Sequence, residues 1–195
     1  MGEMMLILGG ARSGKSSYAQ RLAHELGGER VLFVATAEGG DEEMRARIAD
    51  HRRDRPAGWR TVEAPRNVAQ AMAPAIGDAR VVLVDCITLL ASNVMLAGGE
   101  SPDAQQAEQD VVHEIEALCA LARQTKATFI LVSNEVGLGL VPVYELGRLY
   151  RDVLGRANQL LAAQADQVVL LIAGLPIEIK ALQAAITKGA NPSAH

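Results

Sequence analysis

The sequence predicts an α/β fold, a mainly parallel sheet flanked by helices, on three observations. Five short apolar runs, Met4–Leu8, Val31–Ala35, Val81–Val84, Ala127–Val132 and Gln167–Ile172, carry almost no polar interruption, as strands buried on both faces require. Longer segments with helical spacing alternate with them, which is the order that builds a parallel sheet covered on both sides. The first run also ends in Gly9-Gly10-Ala11-Arg12-Ser13-Gly14-Lys15-Ser16, a glycine-rich turn placed to open a helix.

That turn fits the P-loop pattern at every fixed position and marks a P-loop NTPase. A polyphosphate needs many donors close by, and backbone N–H groups crowd around phosphate oxygens only where side chains are absent. Gly9 and Gly14 give that clearance. Lys15 brings a cation to the terminal phosphates, and the Ser16 hydroxyl can complete a Mg²⁺ shell. Ser16–Leu26 is then the helix whose N-terminus faces the phosphates.

The 195 residues suit one domain, 1–195, with a core over 1–185 and a loose tail over 186–195. Hydrophobic residues make up 49% and charged residues 22%, an ordinary globular balance that excludes a disordered chain. A net charge of −4 argues against nucleic acid or an anionic membrane as the main partner. The N-terminus lacks a basic segment followed by a long apolar one, so neither signal peptide nor membrane span is expected, and the location expected is cytoplasmic. Cys86 and Cys119 have no metal-ligand spacing and are expected to be core thiols.

Beyond Val31–Ala35 the chain enters Asp41–Pro65, its most charged segment. Met44 and Ile48 can anchor a helical face, while Arg47, His51 and Arg55 line a neighbouring stripe and Pro56 discourages further helix. Two readings fit this stretch: a solvated charged helix, or an imidazole nucleophile held among guanidinium groups that bind phosphate. Pro65–Asp78 reads as a helix broken near Pro74. Val81–Val84 then ends in Asp85, either a Walker B carboxylate for Mg²⁺ or a turn residue closing a strand; the P-loop upstream favours the metal role. Ser101-Pro102-Asp103 starts a helix to Gln124, with Val111, Ile115, Leu118 and Ala122 on one stripe.

The strand Ala127–Val132 leads into Ser133-Asn134-Glu135 and the glycines Gly137 and Gly139. Glu135 can position a substrate hydroxyl or cap a helix. Tyr144–Leu161 is a long amphipathic helix, with Arg148, Arg151, Arg156 and Asn158 on its polar side, a solvated face first and a source of phosphate or subunit contacts second. Ile177–Lys180 is expected to be a short edge strand. In such sheets ligands collect beyond the carboxyl ends of the strands, which selects Gly9–Ser16, Ala35-Thr36-Ala37, Asp85 and Ser133-Asn134-Glu135.

These residues together resemble the bifunctional adenosylcobinamide kinase and adenosylcobinamide-phosphate guanylyltransferase family. The match runs in order through Gly9–Ser16, Ala35-Thr36, Asp41–Met44, His51-Arg52, Arg55-Pro56, Trp59–Thr61, Glu63, Asp85–Thr88, Asn134–Gly137 and Gly155–Gln159, essentially the whole chain. The resemblance implies a RecA-like domain, assembled as a homotrimer, that uses Mg²⁺ with ATP and GTP as substrates. It implies that adenosylcobinamide is phosphorylated on the hydroxyl of its aminopropanol arm. Adenosylcobinamide phosphate would then take GMP from a guanylylated histidine, here His51. It places Arg52, Arg53, Asp54, Arg55 and Glu63 at the guanine nucleotide, with Val34, Ala35 and Thr36. Two other classes remain from the residues alone: a P-loop kinase of another small metabolite, and a RecA-like module that drives a partner.

Overall fold

The computed structural model describes residues 2–38, 56–99 and 101–189. Among the described residues seven strands form one sheet: β1 (Met4–Gly9), β2 (Val31–Ala35), β3 (Arg60–Glu63), β4 (Val81–Asp85), β5 (Thr128–Asn134), β6 (Gln167–Ile172) and β7 (Leu175–Glu178). The helices among the described residues are α1 (Lys15–Gly27), α2 (Val68–Met72), α3 (Ile87–Met95), α4 (Ala104–Gln124), α5 (Glu145–Gln164) and α6 (Ile179–Gly189), with one 3₁₀ turn at Ala73–Ala75. The strand order is β3-β2-β4-β5-β1-β6-β7. Every pair is parallel except β6–β7.

Alternation along the strands divides the core into two layers. Leu6, Leu8, Leu32, Val34, Val82, Val84, Phe129 and Leu131 pack against α2, α3, α4 and α5 through residues such as Met72, Leu90, Leu118 and Leu154. Met5, Ile7, Val31, Phe33, Val81, Leu83, Ile130 and Val132 face Ala19 and Ala23 of α1. Small residues let α1 lie close to the sheet. At Gly27 even a methyl group would come within 2.9 Å of Val31 Cγ2 and 3.1 Å of Val81 Cγ2.

Polar clamps hold the thicker layer in register. The buried Glu114 carboxylate of α4 accepts from the Asn67 and Val68 amides at 3.0 and 2.6 Å, closing the N-terminus of α2. On the α1 side, Trp59 is buried and its indole N–H donates to Gly28 O at 3.0 Å.

Four local expectations change. Arg60–Glu63 is a strand that the sequence pattern did not suggest, exposed at all positions but Val62. Ile87–Met95, to which the sequence pattern assigned no element, is a helix. The C-terminal edge strand is Leu175–Glu178, and Ile179 already begins α6. That helix continues to Gly189, past the start expected for a loose tail at residue 186.

The shift of β7 has a cause at Ala173 and Gly174. Both take positive φ, 51° and 82°, the left-handed pair that a two-residue hairpin needs. The hairpin tip then folds onto Gly9–Ser16: Gly174 N donates to Ser13 O at 3.0 Å.

Candidate functional site

Gly9–Ser16 bridges the end of β1 and the start of α1, at the carboxyl edge of the sheet. Its turns are left-handed at Arg12 (φ 57°) and Gly14 (φ 91°), and Ser13 N closes onto Gly10 O at 3.3 Å. A Cβ at Gly9 would lie 2.4 Å from Ser13 Oγ and 2.9 Å from Leu171 O, so only glycine fits there. Gly14 caps α1 without a side chain, which keeps that helix end open to an anion. The Ser13 hydroxyl oxygen is buried with no partner among the described residues. Lys15 Nζ donates to Gly10 O at 3.1 Å, so the ammonium curls over the turn.

Strand alternation decides what else meets this turn. Val81 and Leu83 face α1, so Asp85 does too; Ile130 and Val132 face α1, so Asn134 does too. The register pairs Gly9 with Asn134 and Asp85 with Val132. Since β5 lies between β4 and β1, Asp85 and Gly9 stand two strand spacings apart, about 10 Å. Lys15 and Asp85 feel each other directly. Burial lowers the Lys15 pKa from 10.5, while Cys86 and Asp85 act to raise it.

Cys86 corrects the expectation of an ordinary core thiol. It is a half-buried free cysteine within the field of Lys15 and Asp85. Burial, with the Asp85 charge behind it, pushes the thiol up to about 11, so it is neutral near pH 7. Cys119 is buried in the core as expected.

The peptide linking Asp85 to Cys86, which is cis, is held by Thr36. The Thr36 hydroxyl donates to Cys86 O at 2.7 Å and accepts from Cys86 N at 2.8 Å. Asn93 of α3 in turn donates to Thr36 O at 2.8 Å and to Pro65 O at 3.1 Å. Val34 and Thr36, expected at the nucleotide, have no exposed surface. Their side chains are engaged within the protein: Val34 packs in the core, and Thr36 bonds Cys86, the residue after Asp85. Ala35 is nearly buried, and Glu63 stands exposed opposite it in the register of β2 and β3.

A second brace fixes the end of β5. Asn134 N donates to Thr88 Oγ1 at 2.8 Å, and Tyr150 OH donates to Thr88 O at 3.1 Å. Ser133 Oγ donates to Asn158 Oδ1 at 2.7 Å, and Asn158 Nδ2 donates to Asn134 O at 3.0 Å. Glu135 N donates to Gly9 O at 3.1 Å, tying this loop to the phosphate turn. Asn158 is thus buried inside the network rather than on a solvated face. Burial raises the Tyr150 pKa, with Cys86 adding to it, and this keeps the phenol a donor.

Arg148 also departs from the solvated reading, donating to Pro142 O at 3.2 Å and Val143 O at 2.7 Å. The Glu135 carboxylate accepts from Gly137 N at 2.7 Å, a local turn bond. Thr88, Asn93 and Tyr150 gave no sequence signal as braces, because each acts from a helix whose spacing reports only its apolar stripe. His51, Arg52, Arg53, Asp54 and Arg55 lie outside the described residues.

Among the described residues no group of three or more His, Cys, Asp or Glu side chains can hold a metal. A Mg²⁺ site needs no such group, since this ion keeps waters and uses one or two protein oxygens with phosphates. Ser16 at the start of α1 and Asp85 on the α1 face make a donor set of that kind. No described helix is long and apolar enough to cross a membrane.

Comparison with known proteins gives a consistent result. The family model for cobinamide kinase / cobinamide phosphate guanyltransferase matches residues 5–179. The bifunctional adenosylcobalamin biosynthesis protein CobU of Escherichia coli is 41% identical over 182 residues, covering 91% of this chain and 99% of the relative. The bifunctional adenosylcobalamin biosynthesis protein CobP of Pseudomonas aeruginosa is 45% identical over 175 residues, covering 90% and 96%. Among solved structures, the ATPase domain of G40P superposes with a TM-score of 0.51 at 15% identity, covering 86% of this chain and 68% of that one. That likeness supports the P-loop fold alone.

Proposed function

The chain belongs to the cobinamide kinase / cobinamide phosphate guanyltransferase family, and from that premise we propose the following two-step activity. The enzyme phosphorylates adenosylcobinamide with ATP or GTP. It then transfers GMP from GTP, through a guanylylated His51, to adenosylcobinamide phosphate, giving adenosylcobinamide-GDP. One observation carries the kinase half: strand alternation brings Asp85 and Asn134 to the face where Gly9–Ser16 and Lys15 wait.

In this reading Gly9, Gly10, Ala11, Arg12, Ser13 and Gly14 wrap the phosphates with backbone N–H groups, and Lys15 neutralises the charge that moves during transfer. Ser16 and Asp85 would hold Mg²⁺, which when bound supplies further charge neutralisation. The substrate hydroxyl oxygen bonds to the γ-phosphorus as the bond to the β-bridging oxygen breaks, and the nucleoside diphosphate leaves. In the second step the His51 imidazole attacks the α-phosphorus and pyrophosphate leaves. An oxygen of the cobinamide phosphate then attacks that phosphorus and breaks the N–P bond, returning free His51.

Val34, Ala35, Thr36, Glu63 and Arg52, Arg53, Asp54 and Arg55 take the guanine end. For the residues at the ends of β2 and β3, what supports this is the strand order: those ends lie three and four strand spacings from β1, about 14 to 19 Å. A nucleotide stretched along the carboxyl edge would reach from Lys15 to Glu63.

The test is product analysis by mass spectrometry with adenosylcobinamide, ATP, GTP and Mg²⁺. The phosphate ester should appear first and the GDP ester second; the absence of either overturns that half. A plain kinase would stop at the phosphate ester.

Asp85→Asn is expected to cut Mg²⁺-dependent turnover roughly tenfold to a hundredfold, while nucleotide affinity changes little. Raising Mg²⁺ should recover part of the loss. Unchanged activity and metal dependence would make Asp85 a strand-end turn residue.

We also propose a homotrimer, on the strength of the resemblance; light scattering that gives a monomer at assay concentration removes it. A cytoplasmic location follows from the nucleotide substrates and is checked by whether activity stays in the soluble fraction after lysis.

A further inference from the structure

Two features of the β5–α5 connection are not used by the nucleotide. The first is the amide oxygen of Asn134. It is buried and has no hydrogen-bond partner among the described residues, although the backbone around it is braced by Thr88 and Asn158. It sits in register with Gly9, on the α1 face. A phosphate offers this oxygen nothing, because both are acceptors. Only a donor can satisfy it, and such buried atoms normally find one.

The second feature starts four residues further on. Leu138, Leu140, Val141, Val143 and Tyr144 are between 62% and 96% exposed, five large apolar side chains in seven positions. Scattered apolar residues are normal on a surface, but a contiguous set marks a binding site. This set is presented by a pinned backbone. Arg148 holds the carbonyls of Pro142 and Val143, and Gly139 N donates to Val136 O at 3.4 Å. Gly147 admits the segment: a Cβ there would fall 2.6 Å from the Tyr144 ring and 2.8 Å from Pro142 Cβ. At its other end Glu135 N ties the connection to Gly9. By contrast, the open groove of about 640 Å³ beside α4, from Gln105 to Glu116 with Arg156, has mostly polar and charged walls.

We infer that the β5–α5 connection is the acceptor subsite: Asn134 Oδ1 receives the substrate hydroxyl, and Leu138–Tyr144 receives the corrin ring. The inference rests on the kinase reading above. A corrinoid substrate is a broad, methyl-studded macrocycle with its hydroxyl on a flexible side arm. It therefore needs a hydrogen-bond acceptor at the phosphoryl-transfer point and an apolar platform displaced from it. The connection supplies both in that order. Asn134 orients the hydroxyl oxygen toward the γ-phosphorus. An amide is no base, so the proton leaves for solvent as the new O–P bond forms, which a loose transition state allows.

The test compares phosphorylation of adenosylcobinamide by three variants of the full chain. Leu140→Ser/Val143→Ser alters two exposed positions and should raise KM for adenosylcobinamide roughly tenfold to a hundredfold. Leu182→Ser, an exposed apolar position on α6, should leave that KM as in wild type. Asn134→Ala should lower kcat roughly tenfold to a hundredfold, with GTP affinity and melting temperature retained.

A wild-type KM in the double variant, or an equal rise in Leu182→Ser, overturns the platform. So does loss of the wild-type mass in light scattering, which assigns the patch to a second copy of the chain. A parallel fall of GTP affinity in Asn134→Ala assigns that residue to the nucleotide and overturns its part. Wild type that phosphorylates no cobinamide defeats the kinase reading itself, a separate outcome from an active wild type with indifferent variants.

Discussion

Lys15→Ala is expected to reduce phosphoryl transfer by about a thousandfold or more, the scale seen when a preorganised charge-stabilising group is removed. The ammonium lies against the turn, bonded to Gly10 O at 3.1 Å and sharing its surroundings with Asp85 and Cys86. As charge moves onto the leaving diphosphate, the alanine variant has no ammonium at the first position of α1 to meet it. The fold should be indifferent. Lys15 is only half-buried and packs in neither layer of the core, and its loss uncovers just an exposed carbonyl at Gly10. Circular dichroism and melting temperature should therefore match wild type while turnover collapses. The guanylyl half should fall as well, because pyrophosphate leaves through the same phosphates. Near-normal activity in both halves would refute the phosphate-site assignment.

Much of the carboxyl edge was legible because buried parallel strands write themselves plainly. β1, β2, β4, β5 and β6 lie inside the sheet, apolar on both faces, so their sequences are short unbroken hydrophobic runs. Where such a run stops at a polar residue, the edge of the sheet is found, which is how Asp85 and Ser133-Asn134-Glu135 stood out. β3 was hidden for the opposite reason. It is an edge strand with one neighbour and one half-buried residue, Val62, and leaves no periodic trace. α3 was hidden by its burial: Ile87, Thr88, Leu90, Ala91 and Met95 are buried and no residue of the helix is exposed, so it shows no charged, solvated face and no start signal beyond Cys86.

The braces were hidden at a deeper level. Thr36, Thr88, Asn93 and Asn158 are ordinary polar residues whose partners are 24 to 62 positions away. Only the topology reveals that they converge on Asp85 and Asn134. They act by holding the backbone at the ends of β4 and β5. Thr36 holds Cys86, the residue after Asp85, at both its N–H and its C=O, which fixes the backbone from which the carboxylate projects. The same logic explains Arg148, which looked like a solvated charge and instead holds the carbonyls of Pro142 and Val143 ahead of α5.

His51→Ala should abolish a covalent GMP adduct that wild type forms with GTP and Mg²⁺. His51 lies outside the described residues, so the expectation rests on chemistry and on the family to which the chain belongs. Moving GMP between two phosphates needs a nucleophile that attacks phosphorus readily and leaves again. Imidazole does both near neutral pH, where it is mostly unprotonated. His24 and His113 sit on α1 and α4, and neither lies in an arginine cluster like the one that follows His51 in the sequence. Label from the α-phosphate of GTP should stay with the denatured protein, and label from the γ-phosphate should not. Acid should release it and base should not, as for a phosphoramidate and unlike a serine ester. The variant should lose the adduct and the GDP ester yet keep at least part of the phosphorylation, since that step needs only Gly9–Ser16, Mg²⁺ and a bound hydroxyl. An acid-labile adduct on the His51→Ala protein, or none on wild type, would reduce the enzyme to a kinase with a phosphate-binding histidine.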